Sequence, residues 1–157
     1  MNMPETEENN NLTVEINCDI DDPDIDIAGL TDLAAKICRR FDVNKVVVSI
    51  AIVDDKTITD LNKKFLNKTN TTDVISFDLT EPGEKGSVFD LVINADEAGR
   101  QAKTRNHSRN AELALYITHG LLHNLGFDDD NEKNAGIMHK MENDILSKEG
   151  FGLGVFE

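Results

Sequence analysis

The eleven-residue stretch HGLLHNLGFDD at 119–129 constrains this chain more than any other feature. His119 and His123 are four residues apart, so on a helix both imidazoles lie on one face and can meet the same ion. Gly126 follows where helices commonly end in a left-handed turn, which Gly adopts at little cost. Such a turn directs the chain back, and the third ligand can then come from one of three acids: Asp128, Asp129 or Asp130. Three protein ligands with one open position are typical of a catalytic zinc site.

A structural interpretation competes with the metal site. Two histidines on a mostly apolar helix can be core residues satisfied by hydrogen bonds, and a His pair at this spacing is by itself a weak signal. The coincidence of the pair, the Gly and the acids within eleven residues favours metal. The spacing also matches the zincin metalloproteases, which place their general base, a Glu, directly after the first His. Gly120 occupies that position here, which argues against peptide hydrolysis.

Composition and charge limit the class of protein. The chain has 157 residues, 39% of them hydrophobic, which predicts a single globular domain. The formal net charge is −14, and residues 1–35 hold ten acidic residues and no Lys or Arg. The other 122 residues carry 20 acidic and 16 basic residues, for a net charge of −4, so an anionic partner is not excluded.

The cysteines and the N-terminal segment predict a cytoplasmic protein with no membrane partner. Cys18 and Cys38 are not arranged as CxxC, and the default for such a pair is two reduced thiols. Residues 1–11 have neither the basic nor the apolar region of a signal peptide. No apolar run approaches the roughly 18 residues needed to span a bilayer.

The chain divides into a disordered acidic N-terminal tail at 1–11, one domain at 12–148 and a C-terminal tail at 149–157. Strands are predicted at 12–17, 46–53, 73–79 and 88–95, and the second is expected to be buried on both faces. Helices are predicted at 26–41, at 54–65 with Asp54 or Asp55 as N-cap, from 97 onward, at 109–125 and at 132–147. The fourth of these is the zincin-like metal helix. On the last helix, His139 falls outside the apolar stripe and is predicted to lie at the surface.

One dense basic cluster precedes the metal helix in the sequence: Arg100, Lys103, Arg105, His107 and Arg109. Charge runs are usually solvated helix ends, which is one interpretation of this cluster. The other is phosphate binding next to the metal site, and proximity to the metal helix favours it.

Three blocks of sequence resemble the YbeY family of bacterial endoribonucleases, the rRNA maturation factors. The first contains VDD, LN and TDVISF within 53–77, and the second is DLVI at 90–93. The third contains ELA, HGLLH and GFD within 112–128, with Met138 and Glu142 downstream. Together the blocks span about residues 46–146, which is most of the predicted domain.

This resemblance implies an α+β fold, with a small mixed β-sheet packed with helices, and one Zn²⁺ per chain. It also implies metal-dependent cleavage of single-stranded RNA during rRNA maturation, at the 3′ end of 16S rRNA, and in ribosome quality control. The implied partners are single-stranded RNA and the ribosome or a ribosome-associated protein. His119 and His123 take the family's first two ligand positions directly.

Two positions depart from the family pattern. The family's third ligand is typically a His three residues after the Gly, where this chain has Asp129; a carboxylate oxygen can also ligate zinc. The acids on either side of Asp129 stay open as alternative donors. The family usually has an Arg at the position of Leu66. If that Arg contacts phosphate, its role is lost here or falls to a nearby base: Lys64, Lys68 or Arg109.

These residues together predict metal-assisted cleavage of a phosphodiester bond. His119, His123 and Asp129 are the predicted zinc ligands, Asp128 is the nearest candidate for a general base, and hydroxide on the metal is the alternative. The predicted contacts to the RNA backbone come from four residues: Arg100, Lys103, Arg105 and Arg109.

The alternative function is a non-enzymatic, ribosome-associated assembly factor whose metal is structural or absent. The net charge of −14 and the missing Arg favour this alternative. Salt dependence distinguishes the two, because direct RNA binding weakens steeply with salt and docking to a protein need not.

Overall fold

The computed structural model describes residues 6–8, 11–43 and 45–151. Strands and helices are distributed along these residues in an α+β arrangement, as predicted. In chain order they are β1 (Thr6–Glu8), β2 (Leu12–Cys18), α1 (Ile27–Arg40), β3 (Val46–Val53), α2 (Asp55–Leu66), β4 (Val74–Asp78), β5 (Ser87–Asn94), α3 (Ala95–Arg105), α4 (Arg109–Asn124) and α5 (Glu132–Lys148).

The strands form one mixed five-stranded sheet in the order β1-β2-β3-β5-β4. The three inner strands, β2, β3 and β5, are parallel, and the two edge strands are antiparallel to their neighbours. In the centre of the sheet, Ile50 of β3 pairs with Ile16 of β2 and Leu91 of β5. Parallel strands require crossover connections, and α1 supplies the one between β2 and β3.

The main core lies on one face of this sheet, where α1, α4 and α5 pack. Alternate residues of β3 from Val46 to Ile52 are buried there, whereas Val47, on the opposite face, is 45% exposed. The prediction that β3 is buried on both faces is therefore wrong for most of its length. The reason is that α2 is the helix on the other face and covers only the end of the strand, in a small cluster: Val53, Ile58 and Ile75.

Acidic residues cap the starts of α1 and α2, and the prediction of Asp54 as an N-cap is confirmed. The carboxylate of Asp26 accepts a hydrogen bond from the N–H of Gly29, and that of Asp54 accepts one from the N–H of Thr57. The start of α3 lies two residues before the predicted one, because Asn94 caps the helix from the end of β5. None of the helices in the described part of the chain combines the length and apolar character needed to cross a membrane.

The termini differ in part from the prediction. Thr6–Glu8 lies inside the segment predicted to be disordered, yet it pairs with β2 as an antiparallel edge strand. Backbone hydrogen bonds to an open strand edge do not require apolar side chains, so composition did not reveal this strand. Residues 1–5 and 9–10 of the predicted N-terminal tail, and 152–157 of the predicted C-terminal tail, lie outside the described residues.

Candidate metal centre

Helix α4 ends in the predicted left-handed turn. Gly126 has φ = 102°, its N–H donates to the carbonyl of His123, and the N–H of Phe127 donates to the carbonyl of Leu122. These two bonds are those of a Schellman motif, which satisfies the last carbonyls of the helix. The ring of Phe127 then packs edge-on against Phe41, with 5.6 Å between centroids. The acidic segment that follows is thus anchored close to the end of α4.

His119, His123 and Asp129 bring three donor atoms together, as the sequence predicted. The Nε2 atoms of the two histidines are 3.1 Å apart, and each is 3.7 Å from Oδ2 of Asp129. Around a tetrahedral zinc ion with bonds of about 2.0–2.1 Å, ligand atoms are roughly 3.4 Å apart. The observed distances bracket that value, so these side chains fit a four-coordinate ion with one position open. The His119 side chain is 30% exposed and that of Asp129 is 50% exposed, so the donors are accessible from solvent.

The two alternative acids are placed differently. The carboxylate of Asp130 accepts a hydrogen bond from Nδ2 of Asn134, in the first turns of α5, and Asp128 is exposed. Among the described residues, the His119, His123 and Asp129 group has ligand atoms that all lie within 4.8 Å of one another. The geometry therefore favours Asp129 over its neighbours. Metal binding by the three residues, and a catalytic role for Asp128, stay predictions.

The sequence pattern assigned no role to Glu142, yet in the structure its carboxylate lies beside the ring of His119. Oε2 of this carboxylate lies 2.6 Å from Nδ1 of His119, and Oε1 lies 3.3 Å from Nδ1 of His139. Glu142 is 2% exposed, whereas the His139 side chain is 58% exposed, in keeping with its predicted surface position. A signal was present in the sequence, because Met138, Glu142 and Ile145 follow helical spacing and an acid on an apolar stripe is unusual.

The electrostatics around His119 favour a positive charge. Burial lowers the pKa of this imidazole, but the hydrogen bond and charge of Glu142, together with the charges of Asp129 and Asp73, outweigh it. The pKa of His119 is therefore raised above its ordinary value. The same negative charges would also favour a cation bound at the other ring nitrogen of His119, Nε2.

The arginines of the basic cluster are engaged in ion pairs: Arg100 with Asp55 and Glu97, Arg105 with Glu112, and Arg109 with Asp22. Lys103, the fourth predicted RNA contact, is exposed. Arg109 precedes His119 by ten positions on α4, which is about 15 Å along the helix axis. Arg109 itself therefore does not lie beside the donor atoms. RNA contact by these four residues stays a prediction.

The position at which the family usually has an Arg is on a different helix from the two histidines. Leu66 is the last residue of α2 and is 43% exposed. Of the candidate substitutes, Lys64 holds its Nζ 5.2 Å from the ring centroid of Phe65, which is itself 56% exposed. α2 packs on the sheet face opposite to α4.

Comparisons with known proteins identify the family of this chain. A family model described as Endoribonuclease YbeY matches residues 15–150, a range that includes every donor residue above. The chain is 37% identical over 134 residues to the Endoribonuclease YbeY of Sulfurovum sp. (strain NBC37-1), over 82% of this chain and 84% of that protein. It is 41% identical over 104 residues to the Endoribonuclease YbeY of Carboxydothermus hydrogenoformans, over 66% of this chain and 73% of that protein.

The fold is also similar to a solved structure. The solution structure of a Thermotoga maritima protein matches with a TM-score of 0.59 at 21% sequence identity, over 86% of this chain and 90% of that chain. At this identity the likeness concerns the fold alone. The family model and the relatives carry the assignment: this chain belongs to the YbeY family.

Proposed function

We propose that this protein is a zinc-dependent endoribonuclease, a hydrolase that cleaves single-stranded RNA. The observation that carries the proposal is the accessible donor set of His119, His123 and Asp129, in a chain matched by a family model described as an endoribonuclease. The donor distances suit a tetrahedral ion with one open position, which is the arrangement of catalytic rather than structural zinc.

The chain's own residues have distinct roles in the proposed reaction. Zn²⁺ held by the three donors would supply Lewis acidity toward a phosphoryl oxygen and favour the ionisation of water. Asp129 adds one negative charge to two neutral imidazoles, so the donor set leaves a divalent ion with a net positive charge toward the anionic phosphate. Asp128, exposed and adjacent, is the proposed general base that accepts the proton of the attacking water. The water oxygen bonds to phosphorus, the P–O ester bond breaks with its electron pair on the leaving oxygen, and that oxygen takes up a proton from solvent and departs as a hydroxyl.

The biological setting follows from the family resemblance. We propose that the enzyme acts in the cytoplasm, in rRNA maturation at the 3′ end of 16S rRNA and in ribosome quality control, with the ribosome or a ribosome-associated protein as partner. Backbone contacts come from four residues: Arg100, Lys103, Arg105 and Arg109. Of these, exposed Lys103 is the simplest phosphate contact, because the arginines must share their charge with acidic partners.

Those ion pairs favour a second candidate function. A surface whose arginines are already neutralised attracts RNA weakly, and the chain has a formal net charge of −14. The second candidate is therefore a non-enzymatic, ribosome-associated assembly factor that reaches its site through protein contacts.

Cleavage of a labelled single-stranded RNA by the zinc-loaded protein tests the proposal. The wild type is expected to cleave, a chelator to abolish cleavage and added zinc to restore it. A His119→Ala/His123→Ala double variant, purified in parallel, controls for contaminating nucleases. Equal activity in the two preparations, or no activity in either, contradicts the nuclease proposal and supports the second candidate. Binding of the same RNA, measured between about 50 and 200 mM salt, separates direct phosphate contact from binding that is insensitive to salt.

A further inference from the structure

The carboxylate of Glu142 is buried and has imidazole partners on both oxygens. Oε2 contacts Nδ1 of His119 at 2.6 Å and Oε1 contacts Nδ1 of His139 at 3.3 Å. Within the described residues, its salt-bridge partners are these two histidines and no Lys or Arg. A carboxylate that is 2% exposed is costly unless positive charge or strong donors lie beside it. The compensation for Glu142 therefore comes from the donor site itself.

The contact determines which nitrogen of His119 faces the other donors. A carboxylate accepts hydrogen bonds, so at 2.6 Å Nδ1 carries the hydrogen. In a neutral imidazole the other nitrogen, Nε2, then has a free lone pair. That Nε2 lies 3.1 Å from Nε2 of His123 and 3.7 Å from Oδ2 of Asp129. Glu142 thus contacts the ring nitrogen of His119 that faces away from the other two donors.

We propose that Glu142 is a positioning residue of the metal centre, which holds the Nδ1–H of His119 and so presents the Nε2 lone pair to the ion. This inference rests on the proposed function, since it concerns the same metal. A hydrogen-bonded carboxylate behind a ligating imidazole fixes both its tautomer and its orientation, and it makes the ligand more basic. His139 holds the second carboxylate oxygen, but because its side chain is 58% exposed, its contribution is smaller.

The α5 helix gives this arrangement its rigidity. Glu142 lies between Met138 and Ile145, both buried in the main core, so its backbone position is set by packing on either side. His119 lies on α4 between two buried residues, Thr118 and Gly120, so its backbone position is likewise set by the packing of that helix. The distance between the two side chains is therefore a property of the α4–α5 packing.

Zinc affinity and the His119 tautomer, measured side by side, test the inference. We expect Glu142→Gln to raise the zinc dissociation constant by about 10–100-fold in competition with a chromophoric chelator. The matched control, His139→Gln, removes the exposed partner of the same carboxylate and is expected to change affinity by less than about threefold. Long-range ¹H–¹⁵N NMR of the metal-free protein, recorded at a pH at which the His119 ring is neutral, reports the tautomer directly. The wild type is expected to hold the hydrogen on Nδ1 of His119, and Glu142→Gln to give a mixture of tautomers.

The outcomes separate this inference from the proposed function. Unchanged zinc affinity and an unchanged His119 tautomer in Glu142→Gln would overturn the positioning role. Should Glu142→Gln fail to fold, Glu142→Asp replaces it, since it keeps the charge and shortens the side chain by one methylene. We expect this variant also to bind zinc more weakly and to give a mixture of His119 tautomers. If the wild type binds zinc but cleaves no RNA, the proposed function is contradicted. In that case weaker zinc binding by Glu142→Gln still supports the positioning role. A wild type that binds no zinc overturns both.

Discussion

A Cβ atom added to Gly120 would lie 2.2 Å from Cδ2 of Leu91 and 3.2 Å from Cγ2 of Val74. Helix α4 therefore approaches strands β4 and β5 so closely, one residue after His119, that a larger side chain has no space. A zincin protease has its catalytic Glu at this position. The contact with Leu91 is a steric reason for Gly at this position, besides the absence of the protease's general base.

Replacement of Gly120 by Ala is expected to destabilise the fold by about 1–2 kcal/mol. Leu91 is 1% exposed, so it cannot move aside freely, and overpacking outweighs the gain in helix propensity. Gly136→Ala is the matched control, since Gly136 is an exposed residue of α5 where an added Cβ would meet no atom within 4 Å, and it should gain about 0.5–1 kcal/mol. Urea unfolding measures both. A Gly120→Ala variant as stable as the wild type would show that the close approach is not needed.

Removal of the Asp129 carboxylate is expected to weaken zinc binding by at least about 100-fold while the fold is retained, because the side chain is half exposed and supplies one of three donors. Asp130→Ala, which removes an acid bonded to Asn134, should change zinc affinity little. Asp129→His restores the donor type usual in the family and is expected to bind zinc at least as tightly as the wild type. Chelator competition with circular dichroism provides the measurement, and full zinc occupancy in Asp129→Ala would refute the ligand assignment.

Glu112 is the buried end of an ion-pair network at the start of α4. It is 0% exposed, accepts two hydrogen bonds of 3.1 Å from Arg105, and contacts Nε2 of His107. Glu112→Gln leaves the Arg105 guanidinium without its charged acceptor and is expected to cost about 2–3 kcal/mol in the free energy of unfolding.

The control for Glu112→Gln is the exposed pair of Lys56 and Asp60, with side chains 84% and 66% exposed. Asp60→Asn should change stability by less than about 0.5 kcal/mol. Equal losses in the two variants would mean that burial adds nothing to the strength of the Glu112 network.

Asp55 links the start of α2 to α3 and makes stability depend on pH. Hydrogen bonds from Arg100 and Asn94 lower the pKa of its carboxyl to about 2. The unfolded value is about 3.9, so the stabilisation is present above pH 4 and is lost as the pH falls through about 2. Because the side chain is 40% exposed, Asp55→Asn should cost no more than about 1 kcal/mol at pH 7. The difference in urea midpoint from the wild type should shrink below pH 4, and a difference independent of pH would contradict this assignment.

The local features of the fold and site were predictable because they depend on neighbours in the chain. Apolar spacing located α1, α4 and α5, and Asp54 was one of the two predicted N-caps of α2. The turn at Gly126 was predictable for the same reason, since positive φ is a property of one residue. The His119 and His123 pair needed only the helical repeat, and the acids after the turn followed from its geometry.

Tertiary structure decided the rest, because distances between separate elements depend on packing rather than on sequence spacing. The closeness of the Asp129 carboxylate to the two imidazoles depends on how the turn after α4 packs, and the ring of Phe127 in that turn contacts Phe41. The ion pairs of the arginines join residues as far apart as Asp22 and Arg109, which no local pattern indicates. The placement of Glu142 behind His119 requires α4 and α5 to meet at one register, 23 residues apart in sequence. The sequence by itself thus determined the helices, the turn and the His pair, whereas the packing of α5 on α4 decided how His119 is held.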